Sequence, residues 1–449
     1  MFPKNDNNIK VRDTILTINV VEKELVRAVK LQSKALKRTL YGLALVNKNY
    51  ADLPDRPKDT TGLFEEIVCD FDNPDELQRI LKPYSDRLLA ATCRYEEAIQ
   101  DFGKVIPFLP SYLPLPSPDA LLGATEKPVM RDRLKDYDST LVPRYQYMEK
   151  NDLPNLSELV KDFNYPVIIK PSGLAKALFV TRCNSLQELQ ERLEYTFLVI
   201  NQAYEREQYP GKPALLVEEM MQGQMYSVDA YVTQEAEILC LPPIKVITAH
   251  SLGLPGFYGC QCLTTDLEED EVQGAFTASK GAIRALNLTS TTTHIELFRT
   301  PEGWKIIEIA ARIGGHRDYL YREAYGIEHF YNDLSLRMGK RPEMPTKQIG
   351  YAVALNIYAE QEGYIESITG LEQAREISSV VYLACHAEKG DIALFANNGG
   401  DAVIDGVLSN KDQKQLQKDI VAVQSLIKIN VRKKERKARK NDYAVVQQL

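Results

Sequence analysis

Two glutamates and an arginine carry the clearest chemistry in this chain. In "HIELFRTPEGWKIIEIAARIGGHRDYL", His294 to Leu320, Glu296 and Glu308 each sit in an alternating apolar run, and Arg312, Gly314, Gly315 and His316 follow. His294, Glu296 and Phe298 share one face of the first run, with Ile295 and Leu297 on the other; "TPEG" turns the chain, and Trp304, Ile306 and Glu308 resume a face. The spacing predicts a tight β-hairpin with Glu296 and Glu308 roughly opposite each other. Like charges facing across two strands destabilise a sheet, and carboxylates among apolar neighbours lose hydration. Something positive belongs between them, either a metal ion or a buried lysine or arginine in a structural ion pair.

The elements that would position these groups can be read along the chain. The first part runs strand "TILTINV", helix "EKELVRAVKLQSKAL", strand "GLALVNK", strand "EEIVCD", helix "PDELQRILKP", strand "DRLLAATC" and helix "EEAIQDFGKVI". That order predicts a parallel sheet with helices on both faces. The loop after the first strand, "NVVEKE", lacks a glycine-rich cradle, which argues against a dinucleotide site. A proline-rich connector, Pro107 to Pro118, follows. Beyond it, Lys127 falls on a helix, "ATEKPVMRDRLKDY", and Lys170 ends a strand, "YPVIIKP". The small-residue loop "SGLAKAL", with Lys176 in its midst, then returns into a strand, as a flap over a phosphate tail would. "CNSLQELQERLEYTF" reads as a helix capped by Asn184 or Ser185, and "PALLVEEMMQGQMYSVDAYV" as strand, turn, strand carrying Glu218, Met220 and Met221. A long helix is expected from about Lys411 to the basic run "VRKKERKARK", either a solvated helix end or a contact for an acidic partner.

Composition bounds the rest. The 449 residues suffice for about three domains, with 44% apolar and 26% charged residues and a net charge of -7 from 55 basic and 62 acidic groups. An acidic balance argues against general nucleic-acid binding. The polar start "MFPKNDNNIK" lacks the apolar core of a signal peptide, and no apolar run reaches about 18 residues, so the expectation is a cytoplasmic protein without a membrane partner. The seven cysteines are scattered; Cys260 and Cys262 lack the spacing of a structural zinc site.

Taken in order, Lys127, Lys170, "PSGLAKAL", "VEEMMQG" and the hairpin closing on Arg312 resemble the ATP-grasp superfamily in its biotin-carboxylase-like branch, most closely the L-amino-acid ligases and carnosine-synthase-type dipeptide ligases. The resemblance implies an α/β ATP-grasp fold: a parallel-sheet pre-ATP-grasp domain over 1–123, an ATP-grasp domain over 124–342 with a mobile lid at about 165–228, and a C-terminal α+β lobe with a basic tail over 343–449. It implies that Lys127 and Lys170 hold the ATP phosphates, with Lys176 either reaching the γ-phosphate or simply solvated. Glu218 would accept the adenine amino group, and the backbone of Met220 and Met221 would form the hinge beside the ring. Glu296 and Glu308 would hold Mg²⁺, two ions, for which Mn²⁺ could stand in. Arg312 would grip the acyl phosphate as it forms. Gly314 and Gly315 would let the backbone approach the substrate, and His316 would line its pocket or serve as a structural histidine.

Two positions depart from the family pattern. Ala310 stands where many relatives have an asparagine two residues after the second glutamate, and Met225 where many have a ribose-binding acid. The activity implied is an ADP-forming, ATP-dependent carboxylate-amine ligase joining amino acids into a dipeptide or conjugate through an acyl phosphate. Its partners would be small-molecule substrates, an amino-acid carboxylate and an amine, and the resemblance leaves room for a homodimer. The alternatives are a purine-pathway or carboxylase-type ATP-grasp enzyme, and a degenerate ATP-binding scaffold or regulatory protein without turnover.

Overall fold

The alternating runs at the start of the chain fold as a four-stranded parallel sheet in the computed structural model, which describes residues 11–53, 56–173, 177–206, 212–264 and 267–433. The strands are β1 Thr14–Ile18, β2 Tyr41–Asn47, β3 Phe64–Cys69 and β4 Leu88–Thr92, in the order β3-β2-β1-β4. β1 is buried along its whole length because helices cover both faces. One of them, Lys23–Ala35, turns Leu25, Val26, Ala28 and Val29 inward and leaves its charged side outside. As expected of a parallel sheet, the chain leaves the carboxyl ends of β1 and β4 at one edge, and there it meets the rest of the molecule.

A second sheet is antiparallel, in the order β5-β8-β6-β7, from β5 Tyr145–Met148, β6 Val167–Pro171, β7 Thr181–Cys183 and β8 Leu215–Glu219. The Leu186–Arg206 helix packs Leu189, Leu193 and Phe197 against Val167, Ile169 and Val217 of this sheet. Of the two residues expected to cap it, Ser185 does so: its hydroxyl accepts from the Glu188 amide at 3.2 Å.

The largest sheet contains β9 Gln224–Val232, β10 Ile238–Cys240, β11 Ile244–Thr248, β12 Gly259–Thr264, β13 Thr291–Thr300, β14 Gly303–Ala310 and β15 Tyr351–Ile357, joined by β17 Val380–Cys385 and β19 Ile404–Asn410. Its order is β14-β13-β9-β11-β12-β15-β19-β17, with β10 beside β9, so the hydrogen-bonded ladder runs on past residue 342 through the β12–β15 pairing. A small sheet, β18-β16-β20, consists of β16 Gly363–Thr369, β18 Ile392–Ala393 and β20 Lys428–Arg432.

The long helix expected from about Lys411 into the basic run stops before that run. The C-terminal helix spans Gln413–Leu426 only, and the start of the basic run is β20, paired antiparallel with β16. Residues Ile427, Ile429 and Val431 pack on the C-terminal core, and a strand buries such alternating side chains where a helix would scatter them. Most of the basic run, from residue 434 onward, lies outside the described residues. Among the described residues no helix is long and apolar enough to cross a membrane.

Candidate active site

β13 and β14 form the expected hairpin, and Glu296 pairs directly with Glu308, with a register shift immediately after Glu296. Each side chain stays about one-third open, 33% for Glu296 and 30% for Glu308. Their charge is answered from two sides. Lys127, at the first position of the Lys127–Tyr137 helix, brings Nζ to 3.4 Å from Glu308 Oε1. His294 lies between Asp229 Oδ1, 2.6 Å from Nδ1, and Glu296 Oε1, 3.6 Å from Nε2. Burial works against the protonated Lys127, but Glu308 and Glu96 raise its pKa above the ordinary lysine value. Burial likewise opposes ionisation of Glu296, yet His294, Arg317 and Arg312 hold its carboxyl below the usual range.

Behind the hairpin lies a buried polar network. Asp229 on β9 faces His294 across the β9–β13 ladder. It also accepts from the Gly314 amide at 3.0 Å and lies 2.9 Å from His329 Nε2. His329 in turn meets the Tyr231 hydroxyl at 2.7 Å. Burial penalises the Asp229 carboxylate, but His294 and His329 hold it strongly ionised. Arg317 donates to the Ser227 hydroxyl at 2.8 Å and to the Gly315 carbonyl at 2.9 Å, locking the turn after Arg312 against β9.

Lys170 and Glu218 occupy neighbouring strands, β6 and β8, and meet at 2.7 Å. Arg131, one helical turn beyond Lys127 and fully buried, donates from Nε to the other Glu218 oxygen at 2.5 Å and from Nη2 to the Ile307 carbonyl at 2.8 Å. Both oxygens of Glu218 are thus held by cations. Burial opposes its charge, but Arg131 and Lys170 bring its pKa down to about 2. Lys170 feels one anion and two cations: burial, Arg131 and Lys127 outweigh Glu218 and push it down to about 8.

Arg312 reaches back to the N-terminal sheet. Its Nε and Nη2 both lie 2.8 Å from Glu96 Oε2, and Nη1 donates to the Ile313 carbonyl at 3.0 Å. Arg94 donates to the same carbonyl at 2.7 Å and pairs with Glu22 at 3.0 Å, so the carboxyl ends of β1 and β4 abut the turn that holds Arg312. The two glycines differ. A Cβ on Gly314 would lie 2.4 Å from His294 Nδ1, whereas one on Gly315 would meet nothing within 4 Å. Gly314 is therefore fixed by packing, and the space beside Gly315 is open. His316 starts the Arg317–Tyr325 helix at φ 58° and places Nδ1 3.0 Å from the Tyr382 hydroxyl, which donates to Asp405 at 2.9 Å. Burial, with Arg317 and Arg94, outweighs Asp405 and keeps the imidazole below its ordinary pKa.

At the expected hinge, the Met220 amide is taken by the Pro166 carbonyl at 3.0 Å, and Met220 and Met221 are both half-buried. Met225 lies on β9 between Val246 and Phe298. Ala310 is buried at the end of β14, opposite His294. Lys176 lies outside the described residues. Among the described residues, no group of three or more His, Cys, Asp or Glu could hold a metal. Glu296 and Glu308 offer two hard oxygen donors, a set that suits Mg²⁺ because that ion takes its remaining ligands from phosphate and water.

The sequence reading missed Arg131, Glu96, Asp229 as a hub, and His294 as its link to Glu296. Arg131 had a signal, since it lies one helical turn from Lys127 and so on the same face. Glu96 had none, for it meets Arg312 across 216 residues of chain.

Lys127 on a helix meets the carboxylate hairpin and Lys170 on a strand meets Glu218; with the two antiparallel sheets this is the ATP-grasp fold, and residues 163–318 match the family model described as the ATP-grasp domain. The fold as a whole is shared with solved structures of low sequence identity. The chain is similar to the L-amino acid ligase from Bacillus licheniformis, with a TM-score of 0.75 and 18% identity over 94% of this chain and 99% of that one. It is also similar to the biotin carboxylase domain of the 2-oxoglutarate carboxylase from Hydrogenobacter thermophilus, with a TM-score of 0.64 and 13% identity over 93% and 90% of the two chains. Among curated proteins it resembles the uncharacterized protein y4rH of Sinorhizobium fredii (strain NBRC 101917 / NGR234), 23% identical over 282 residues and 62% of this chain. The match spans 55% of that relative's length, about half of it.

Proposed function

We propose that this protein is an ADP-forming, ATP-dependent carboxylate-amine ligase whose substrates are amino acids or their derivatives. The observation that carries the reading is the direct pairing of Glu296 with Glu308 within reach of Lys127, while Arg312 emerges from the same hairpin. In this reading Lys127 and Lys170 bind the polyphosphate as point charges. Glu296 and Glu308 would hold Mg²⁺, which when bound neutralises charge across the β- and γ-phosphates. The Glu218 carboxylate orients Lys170, and because both its oxygens are already held, the adenine amino group would be read chiefly by hinge backbone near Met220 and Met221.

A substrate carboxylate oxygen attacks the γ-phosphorus, the bond to the β,γ-bridging oxygen breaks, and ADP leaves. The amine then attacks the carbonyl carbon of the acyl phosphate, loses a proton, and expels phosphate as the amide forms. Arg312 turns its planar fork from Glu96 toward the phosphoryl oxygens as their charge grows. The sheet bearing Lys170, read as the lid, would keep water from the acyl phosphate. His316, neutral and tied to Tyr382, would wall the pocket opened beside Gly315.

The Lys127–Glu308 pair also supports a second reading, an ATP-binding scaffold in which the carboxylates serve structural ion pairs. A screen of amino-acid pairs for phosphate release, with mass spectrometry of any product, separates the two. Release of ADP and phosphate with an amide product supports the ligase; nucleotide binding with no turnover for any pair supports the scaffold.

A further inference from the structure

The Lys23–Ala35 helix carries a row of cations on the side away from the sheet core. Lys23, Arg27, Lys30 and Lys34 follow one another at intervals of four, three and four residues, which places them on one helix face. All four line a groove of about 480 Å³, which Lys58, Asp59 and Thr61 also line. Val21, Val26 and Leu31 supply its apolar part. Five cations thus face a single carboxylate, in a chain whose net charge is -7. That carboxylate is already engaged: Asp59 accepts from the Thr61 amide and hydroxyl at 2.7 Å and from the Phe64 amide at 2.8 Å. Arg27 is paired with Glu328, and Lys23 lies 3.7 Å from Glu24. Lys30, Lys34 and Lys58 are exposed and have no acidic partner among the described residues.

One end of the groove, at Lys23, approaches the candidate active site through Tyr382. Lys23 Nζ lies 5.6 Å from the Tyr382 ring centre, and the Tyr382 hydroxyl is the group that meets His316 at 3.0 Å. Val21 precedes Glu22, whose partner Arg94 donates to the carbonyl of Ile313, the residue after Arg312. From Lys23 the cations run along the helix to Lys34, a span of roughly 16 Å at about 1.5 Å per residue. An extended peptide covers that distance with about five residues.

We infer that this groove receives the acidic tail of one of the two substrates: a chain bearing several carboxylates, about five residues long, whose reacting end lies at Arg312. The inference rests on the ligase reading for its reacting end, but the charge of the groove stands apart from it. Lysines on flexible stems suit a row of carboxylates that needs no fixed geometry, and their exposure makes the attraction sensitive to salt.

The test is fluorescence anisotropy of the full chain with fluorescein-labelled pentaglutamate and, as a neutral match, pentaglutamine, in about 50 mM and about 500 mM salt, where the screening length falls severalfold. Pentaglutamate is expected to bind at least tenfold tighter than pentaglutamine at low salt and to lose most of that advantage at high salt. The double variant Lys30→Glu/Lys34→Glu, changed at two exposed positions and checked by circular dichroism, should weaken it tenfold or more. Equal affinity for the two peptides, or no effect of the charge reversal, overturns the inference. If pentaglutamate binds but never supports ADP release while a neutral amino-acid pair does, the assignment of the groove to a substrate tail is overturned and the ligase reading stands. If no carboxylate and amine release ADP, the ligase reading fails, and the binding arm still decides whether the groove takes an acidic chain.

Discussion

If Lys170 is a phosphate ligand, ATP binding must be coupled to proton uptake. In the nucleotide-free protein burial, Arg131 and Lys127 outweigh Glu218 and leave Lys170 at about 8, against 10.5 for an ordinary lysine. A polyphosphate beside the ammonium adds negative charge and raises that pKa, so the complex holds more protons than the free protein above pH 8. Affinity must therefore fall as pH rises: the factor is one plus the ratio of neutral to charged Lys170, about twofold at pH 8 and about elevenfold, or roughly 1.4 kcal/mol, at pH 9. The same shift has a stability consequence of definite sign. The folded pKa lies below the unfolded one, so the unfolded chain binds more protons between about pH 8 and 10.5, and the nucleotide-free protein gains stability as pH rises through that window. Isothermal titration of the protein with ADP and Mg²⁺ at pH 7.5, 8 and 9, in buffers of different ionisation enthalpy, reads both the affinity and the protons taken up. A dissociation constant flat across this range with no proton uptake would refute the reasoning and remove Lys170 from the phosphate site. Lys170→Met should bind weakly and without the pH dependence.

Glu296→Gln and Glu308→Gln should each abolish most turnover and weaken the Mg²⁺ dependence while circular dichroism stays native; loss of the fold with no effect of Mg²⁺ on the parent activity would assign the pair to a structural bridge. Arg312→Lys keeps the charge but loses the fork, so kcat should fall by about 10² to 10³ with the KM for ATP little changed, and full activity would show that Arg312 does not meet the forming acyl phosphate. Because Met225 accepts hydrogen bonds only weakly, 2′-deoxy-ATP should support kcat/KM within about tenfold of ATP; a preference for ATP of a thousandfold or more would mean that another residue reads the ribose.

The hairpin was legible because its period is short-range: alternation on both arms and a four-residue turn between them determine that Glu296 meets Glu308, and the paired register agrees. The parallel order of the first four strands was legible for a similar reason, since each strand and the segment that follows it carry their own periodicity. What answers the charges was not. Lys127 meets Glu308, Arg131 meets Glu218 and Glu96 meets Arg312 only after three sheets have come together. Apart from the one-turn spacing of Arg131 from Lys127, no local pattern distinguishes these residues from solvated charges on a helix or in a turn. The C-terminal basic run was misread because lysine and arginine dominate its sequence, while the alternation of Ile427, Ile429 and Val431 that makes a strand of its start is short and easily taken for the end of a helix.

The central claim, activation of a carboxylate by phosphoryl transfer, is tested most directly by isotope. An amino acid labelled with ¹⁸O in its carboxylate, incubated with ATP, Mg²⁺ and an accepting amine, must pass one labelled oxygen to phosphate, because the oxygen that attacks the γ-phosphorus leaves with it when the amide forms. Mass spectrometry should find one ¹⁸O in inorganic phosphate for each amide made, with ADP as the nucleotide product. Label in AMP with release of pyrophosphate, or amide formed beside unlabelled phosphate, would contradict the account.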